Sequence, residues 1–330
     1  MNEIAKMILS GVPFVGNMVN VNVHVVDEYN VPVSNALVQV YTYESNVDRF
    51  RDSPKYRILN RHTDPLGNAR FCYTSVSSYI RCVASADGYY TEEDGKQRFT
   101  SSDSDYSKVI LSEHCKSYAF MLRRKKKPTP LCYAKSSFLR KLPKESGEFG
   151  FDLLMNDWIV PYGDGKVADF YVQREAAPSN DQITVNSSII FKGKGNGAYI
   201  RKKVKTTSDF KTDYEADTNG IYLTRLPLRH YPAPGNPAYT FSSIVKEDEY
   251  IVMRTRVERN AKGEIIKAYY STMLGPVYIG KNFDWLIYYI NPTPNDPNLE
   301  KGLTGNVNLV REKKRRRQQD PRPTKVEMKK

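Results

Sequence analysis

The stretch 63–90, TDPLGNARFCYTSVSSYIRCVASADGYY, holds two cysteines ten positions apart on what read as neighbouring strands. Its period decides between a stapled site, a metal site and a sandwich core. Ala69, Phe71 and Tyr73 alternate on one side; Ile80, Cys82 and Ala84 alternate on another. If all six face a core, a hairpin places Phe71 opposite Cys82 and Tyr73 opposite Ile80. A Cys72–Cys82 bridge needs a register one residue away, which turns a whole hydrophobic face to water. The expectation is therefore no disulfide, with Cys82 a small core residue and Cys72 an outward thiol.

Outward from this stretch the pattern continues. VNVNVHVV places Val19, Val21, Val23 and Val25 at period two, the mark of a half-buried strand. A turn, DEYNVPV, leads to the strand ALVQVYTY, and SYAFML closes the set. Residues 17–124 read as an antiparallel sandwich, after an N-terminal segment 1–16 that makes a poor secretory signal. RRKKKPTP follows, and 125–130 read as a solvated basic, Pro-containing linker. Residues 131–310 are β-rich again: KVADFYVQRE, ITVNSSIIFKG, GAYIRKKVK, GIYLTRL, EYIVMRTRVE, EIIKAYYSTM and DWLIYYINP are candidate strands. ERNAKGEI reads as the turn of a hairpin, with Gly263 supplying a positive φ. A larger sandwich or jelly-roll-like domain is the economical reading. From 311 to 330 the chain, REKKRRRQQDPRPTKVEMKK, is read as a disordered basic tail. The fold class is all-β.

The order of Pro32, Val33 and Ala36, then Thr63, Asp64, Gly67 and Phe71, then Gly88 and Tyr89, resembles the carboxypeptidase regulatory-like domain over residues 19–122. The resemblance implies a prealbumin-like, immunoglobulin-like sandwich grouped with carbohydrate-binding folds. It also implies a module without shared catalytic residues. The segment from Glu44 to His62 is longer than that pattern requires.

Net charge is +13, but the tail from Arg311 carries +7 and the run Arg123 to Lys127 carries +5. The folded parts are nearly neutral, so a nucleic-acid-gripping face is not expected. Lys313, Lys314, Arg315, Arg316 and Arg317 form the candidate polyanion-binding run, though no aromatic side chain interleaves it to stack on bases. None of the four histidines has a metal-ligand spacing, and no metal or cofactor is expected. No apolar run reaches membrane-spanning length. GKGNGAY lacks the ending of a phosphate-binding loop.

The most distinctive segment of the second region is GFDLLMNDWIVPYGDGKVADF. Asp157, Trp158, Tyr162 and Asp164 are its candidate ligand-binding residues, with Asp152 and Asp169 flanking them. Acids beside an aromatic platform suit sugar stacking or glycoside chemistry; the same acids can cap backbone turns. The expected function is a non-catalytic structural or binding protein of a bacterial envelope or exterior, its partner a protein or a glycan. The alternatives are a carbohydrate-active enzyme or accessory using the acids near Trp158, and polyanion binding through the tail.

Overall fold

The computed structural model describes residues 17–43, 56–75, 80–91, 114–135, 140–144, 146–175, 187–233, 236–279, 282–284, 287–302 and 304–319. The sequence-based readings of segments 1–16 and 320–330, and of the 44–55 part of the long loop, lie outside the described residues. Among the described residues the chain forms an all-β protein of several distinct sheets, with one helix near its end. It divides into two compact units: Met1–Lys125 with Lys205–Lys211, and Lys126–Val204 with Thr212–Lys330.

The first unit carries β1 (Asn17–Asp27), β2 (Leu37–Tyr43), β3 (Tyr56–His62), β4 (Asn68–Ser75), β5 (Ile80–Ser85) and β6 (His114–Leu122). They form two three-stranded sheets, β4-β1-β6 and β3-β2-β5. Val19, Val21, Val23 and Val25 of β1 are buried against Val38, Val40, Cys82 and Ala84 of the other sheet. Each fully buried Val contributes about 1.5–3 kcal/mol relative to exposure, so this stripe is what fixes the register of β1. Cys82 is buried and Cys72 exposed, as the alternation requires.

The partner strands differ from expectation. Residues 69–84 do not form a hairpin: β4 pairs with β1, Phe71 opposite Val21, and β5 pairs with β2, Cys82 opposite Val40. The two strands lie in different sheets; Ala69, Phe71, Tyr73, Cys82 and Ala84 face inward as expected, the side chain of Ile80 lies outside the described residues, and the pairing is not the expected one. Period two says which face is buried but not which strand lies alongside. Part of the long loop is also strand, since Tyr56–His62 pairs with β2 along its whole length.

Val33 and Ala36 meet around the buried Thr63. The Thr63 hydroxyl donates to the Val33 carbonyl at 2.6 Å and accepts the Ala36 N–H at 2.9 Å. Asp64 accepts the N–H groups of Leu66 and Asn68, and Gly67 stands at φ +75° with the Val25 carbonyl oxygen only 2.4 Å from where a Cβ would be. Glycine is obligatory there.

A strip from late in the sequence completes this unit. Thr207 donates its N–H to the Met121 carbonyl, while its hydroxyl accepts the Met121 N–H at 3.1 Å. Ser208 Oγ accepts the Arg123 N–H and donates to the Tyr90 carbonyl. Lys205–Lys211 thus lies along the end of edge strand β6.

The stretch read as a solvated linker is ordered instead. Arg123 is buried, with its guanidinium 4.6 Å over the Phe210 ring and donating to the Phe210 carbonyl. Arg124 pairs with the buried Asp27 at 2.7 Å. In the second unit, the N–H groups of Lys126 and Lys127 donate to the two carboxylate oxygens of buried Glu300, at 2.8 and 2.6 Å. Partners distant in sequence bind these residues, which local composition does not reveal.

In the second unit two sheets face each other over one core. The five-stranded sheet runs Asp157–Trp158, Gly147–Asp152, Phe170–Arg174, Ser187–Ile190, Arg225–Pro227. The six-stranded sheet runs Gly197–Lys202, Glu249–Arg259, Ile265–Leu274, Ile287–Ile290, Cys132–Lys135, Val307–Asn308. Phe149, Phe151, Phe170, Val172 and Ile189 of the first pack with Ile251, Met253, Met273, Tyr288 and Ile290 of the second. Glu249–Arg259 and Ile265–Leu274 form the expected hairpin, closed by Gly263 at φ +82° donating to the Asn260 carbonyl.

The tail is corrected as well. Leu309–Gln319 is a helix, α1. Asn308 caps it, its side-chain oxygen accepting the N–H groups of Val310 and Arg311 at 3.1 and 3.2 Å. Leu309 is buried in the core and Val310 packs against it. Glu312 sits in the first turn and Arg315 and Arg316 follow toward the end, which suits the helix dipole.

Candidate functional site

The loop between Asp152 and Asp169 gathers the candidate residues. It leaves strand Gly147–Asp152 and enters strand Phe170–Arg174, adding Asp157–Trp158 to the edge of the sheet on the way. Each flanking acid binds backbone. Asp152 accepts the N–H of Met155 with one oxygen and those of Lys166 and Val167 with the other, at 2.9 to 3.1 Å. Asp169 accepts the Leu153 N–H at 2.7 Å.

Arg256 ties the two acids together. Its Nη2 lies 2.7 Å from Asp152 and 2.8 Å from Asp169, and its Nε donates to Asp169 at 2.8 Å. Thr255 adds a hydroxyl donor to Asp169 at 2.8 Å. The acids' side chains are 2% and 0% exposed, so neither opens onto a cleft. Arg256 sits in a β-bulge of Glu249–Arg259 at φ 53°, left-handed backbone that non-glycine residues seldom adopt. The bulge re-aims its side chain into the loop, and the strain is offset by two carboxylates. Burial opposes the Arg256 charge, but the hydrogen bonds and charges of Asp169 and Asp152 outweigh it and raise its pKa above the ordinary guanidinium value. Sequence reasoning missed Arg256 because a bulge leaves no period in the pattern.

Asp157 is buried, and accepts the N–H of Trp158 at 3.0 Å and of Asp164 at 3.3 Å. Lys313 of α1 reaches it at 2.7 Å. Arg316 donates to the Met155 carbonyl at 2.9 Å. Two features read separately in the sequence, the acidic loop and the basic run, therefore meet. The run is split by this contact: Lys313 and Arg316 hold the loop, while Lys314 and Arg315 are exposed. The side chain of Arg317 lies outside the described residues.

Trp158 belongs to the core. It is 6% exposed, with its ring edge-on to Phe151 at 5.2 Å and to Phe149 at 6.3 Å, so it offers no open face for stacking. Gly163 and Gly165 let the loop fold tightly over it; a Cβ at Gly163 would stand 2.2 Å from the Trp158 carbonyl oxygen. What remains outside is the tip. Val160 is 71% exposed, and Tyr162, edge-on to Phe149 at 5.6 Å, is 38% exposed. Pro161 between them is exposed, as is Val167 on the returning arm.

Among the described residues no group of three or more His, Cys, Asp or Glu is placed to hold a metal ion, and no helix is long and apolar enough to cross a membrane. His24 bonds Asn68 at 3.0 Å and His62 bonds the Asn35 carbonyl at 3.2 Å.

No protein-family model matches the chain, and no curated protein matches it. Among solved structures it is similar to the 3-chlorocatechol 1,2-dioxygenase of Rhodococcus opacus 1CP, at 13% identity and a TM-score of 0.24, over 33% of this chain and 61% of that one. It is also similar to the catechol 1,2-dioxygenase of Pseudomonas arvilla C-1, at 13% identity and a TM-score of 0.22, over 34% of this chain and 54% of that one. The chain spans less than two thirds of either enzyme's length. Likeness of this extent carries no conclusion about reaction or metal.

Proposed function

We propose that this chain is a non-catalytic binding protein that engages a protein partner through the tip Val160–Pro161–Tyr162. The supporting observation is the buried Asp152–Arg256–Asp169 network, which fixes the loop from inside while Val160 stays 71% exposed outside. A preformed apolar tip loses little conformational freedom on binding, and tyrosine is enriched among residues that dominate protein interfaces. Valine and proline side chains offer no hydrogen bonds to sugar hydroxyls, and the aromatic ring best suited to a sugar, Trp158, is in the core. A protein is therefore favoured over a glycan. The first unit, read as a carboxypeptidase regulatory-like, immunoglobulin-like module, serves as a stiff spacer. Location at a bacterial envelope or exterior belongs to the same reading and rests on that resemblance alone.

A photo-crosslinking side chain at Val160 of the full chain, expressed in its native cells, is expected to yield a discrete protein adduct. The same group at Ile266, an exposed position on Ile265–Leu274, is expected to yield none. Equal labelling at both positions, or a glycan-array signal lost in Tyr162→Ala, overturns the protein-partner reading.

A further inference from the structure

The five-stranded sheet of the second unit ends in an unusual way. Along Phe170–Arg174 burial alternates, so that Phe170, Val172 and Arg174 share the face turned to the core. The first two are apolar, and the third is an arginine only 9% exposed. Its Nε is buried and, among the described residues, has no hydrogen-bond partner. Directly opposite on one neighbouring strand stands Ser187, itself 6% exposed, whose hydroxyl is likewise buried and without a partner among the described residues. Opposite on the other neighbour stands Gly147. Residues directly opposite in an antiparallel pair project to the same side of the sheet. Arg174 is thus flanked by a hydroxyl and by a position without a side chain. Among the described residues only the Phe149 ring edge comes within 4 Å of a Cβ built at Gly147, at 3.5 and 3.8 Å.

A guanidinium cannot shed its proton to escape burial, and a buried charge is normally paired. Arg256 of the same unit obeys that rule with two carboxylates. Among the described residues no carboxylate pairs with Arg174. The nearest acid on an adjoining strand, Glu148, pairs with Gln173 in register, which puts it on the opposite face, and it forms an ion pair with Lys192. A fixed fork of donors and a hydroxyl, side by side and short of acceptors, match the oxygens of an anion.

We propose that Arg174 and Ser187 form a binding site for an oxyanion: the carboxylate, sulfate or phosphate group of a ligand. The guanidinium supplies the charge and a directed N–H, Ser187 supplies a second donor, and the missing side chain at Gly147 leaves the room. The site is distinct from the Val160–Tyr162 tip and does not depend on it.

The test is calorimetric and thermal-melt titration of the full chain with sodium acetate, sulfate and phosphate, against sodium chloride at matched ionic strength. In the wild type at least one oxyanion is expected to bind saturably and raise the melting temperature. Acetate and the two tetrahedral anions distinguish a carboxylate ligand from a sulfate or phosphate ligand. Arg174→Gln is expected to weaken binding at least tenfold, and Ser187→Ala several-fold, with the fold retained. In chloride alone, Arg174→Gln is expected to be no less stable than wild type, since it removes an uncompensated charge. Three results overturn the site: oxyanion effects that are unsaturable and equal in all three proteins, saturable binding untouched by Arg174→Gln, or a loss of stability for Arg174→Gln in chloride as large as that for Arg256→Gln.

Discussion

From Arg123 to Lys127 the fold consumes nearly everything the chain offers. Arg123 lies over Phe210, Arg124 meets Asp27, and the main-chain N–H groups of Lys126 and Lys127 are taken by Glu300. From Arg311 to Arg316 the same kinds of side chain are rationed. Lys313 and Arg316 hold the Asp152–Asp169 loop, and Arg311, Lys314 and Arg315 face solvent. Composition does not separate the two runs. What separates them is what arrives from elsewhere: the Phe210 ring and carbonyl and the Asp27 carboxylate for the arginines of the first run, with Glu300 binding its main chain, against the Asp157 carboxylate and the Asn156 and Met155 carbonyls for α1. A cluster of cations is structural where the fold supplies acceptors and available for partners where it does not.

That contrast can be broken at its strongest point with Glu300→Ala. Two part-buried N–H groups lose their buried acceptor, and we expect a loss of about 2 kcal/mol in urea unfolding, with Glu300→Gln costing roughly half of that. Lys313→Met removes one of the helix's anchors. It should cost about 1–2 kcal/mol for a partly buried pair and lower the helical ellipticity at 222 nm.

The acid limb sharpens the comparison further. Burial pushes the Asp27 carboxyl up, but the N–H groups of Val31 and Tyr29 and the Arg124 side chain outweigh it, so its pKa is lowered from 3.8. Asp27 therefore stabilises the fold above pH 3.8, and that contribution disappears as pH falls through its lowered value. Arg124→Ala should flatten this limb of a stability-against-pH curve, with little change in its slope near neutrality. The smallest effect belongs to the exposed cations. Replacing Arg311, Lys314 and Arg315 by Ala should leave stability within about 0.5 kcal/mol per site, while lowering the salt needed to elute the protein from heparin. Unchanged elution would mean that even these charges are not available to a polyanion.

How far the sequence is legible follows the range of the interaction. The stripe Val19 to Val25 reads directly, because alternation and burial are both local, and the same rule places Cys82 inside and Cys72 outside. The pairing of β4 with β1 instead of β5 does not read, because every candidate partner has the same period. For α1 a signal was present: Asn308 before Leu309, Val310 and a run of good helix formers. The cations hid it, since they contribute nothing to a core, yet two residues ahead of them suffice to dock the helix. At the candidate site, the turn-capping use of Asp152 and Asp169 is legible from their residue type. Their shared partner, 87 to 104 residues further on, is not.

The strip Lys205–Lys211 has a consequence for how the protein is made. Edge strand β6 ends at Leu122, but the groups that bond to Met121 and Arg123 come from Thr206, Thr207 and Ser208. A ribosome adding roughly 5–20 residues per second must work for several seconds more before that strip emerges. During this interval the first unit has the end of an unprotected edge, the kind of surface that recruits other chains. The first unit therefore cannot be completed until synthesis of the second is well under way, and a fragment ending at residue 124 would retain that exposed edge.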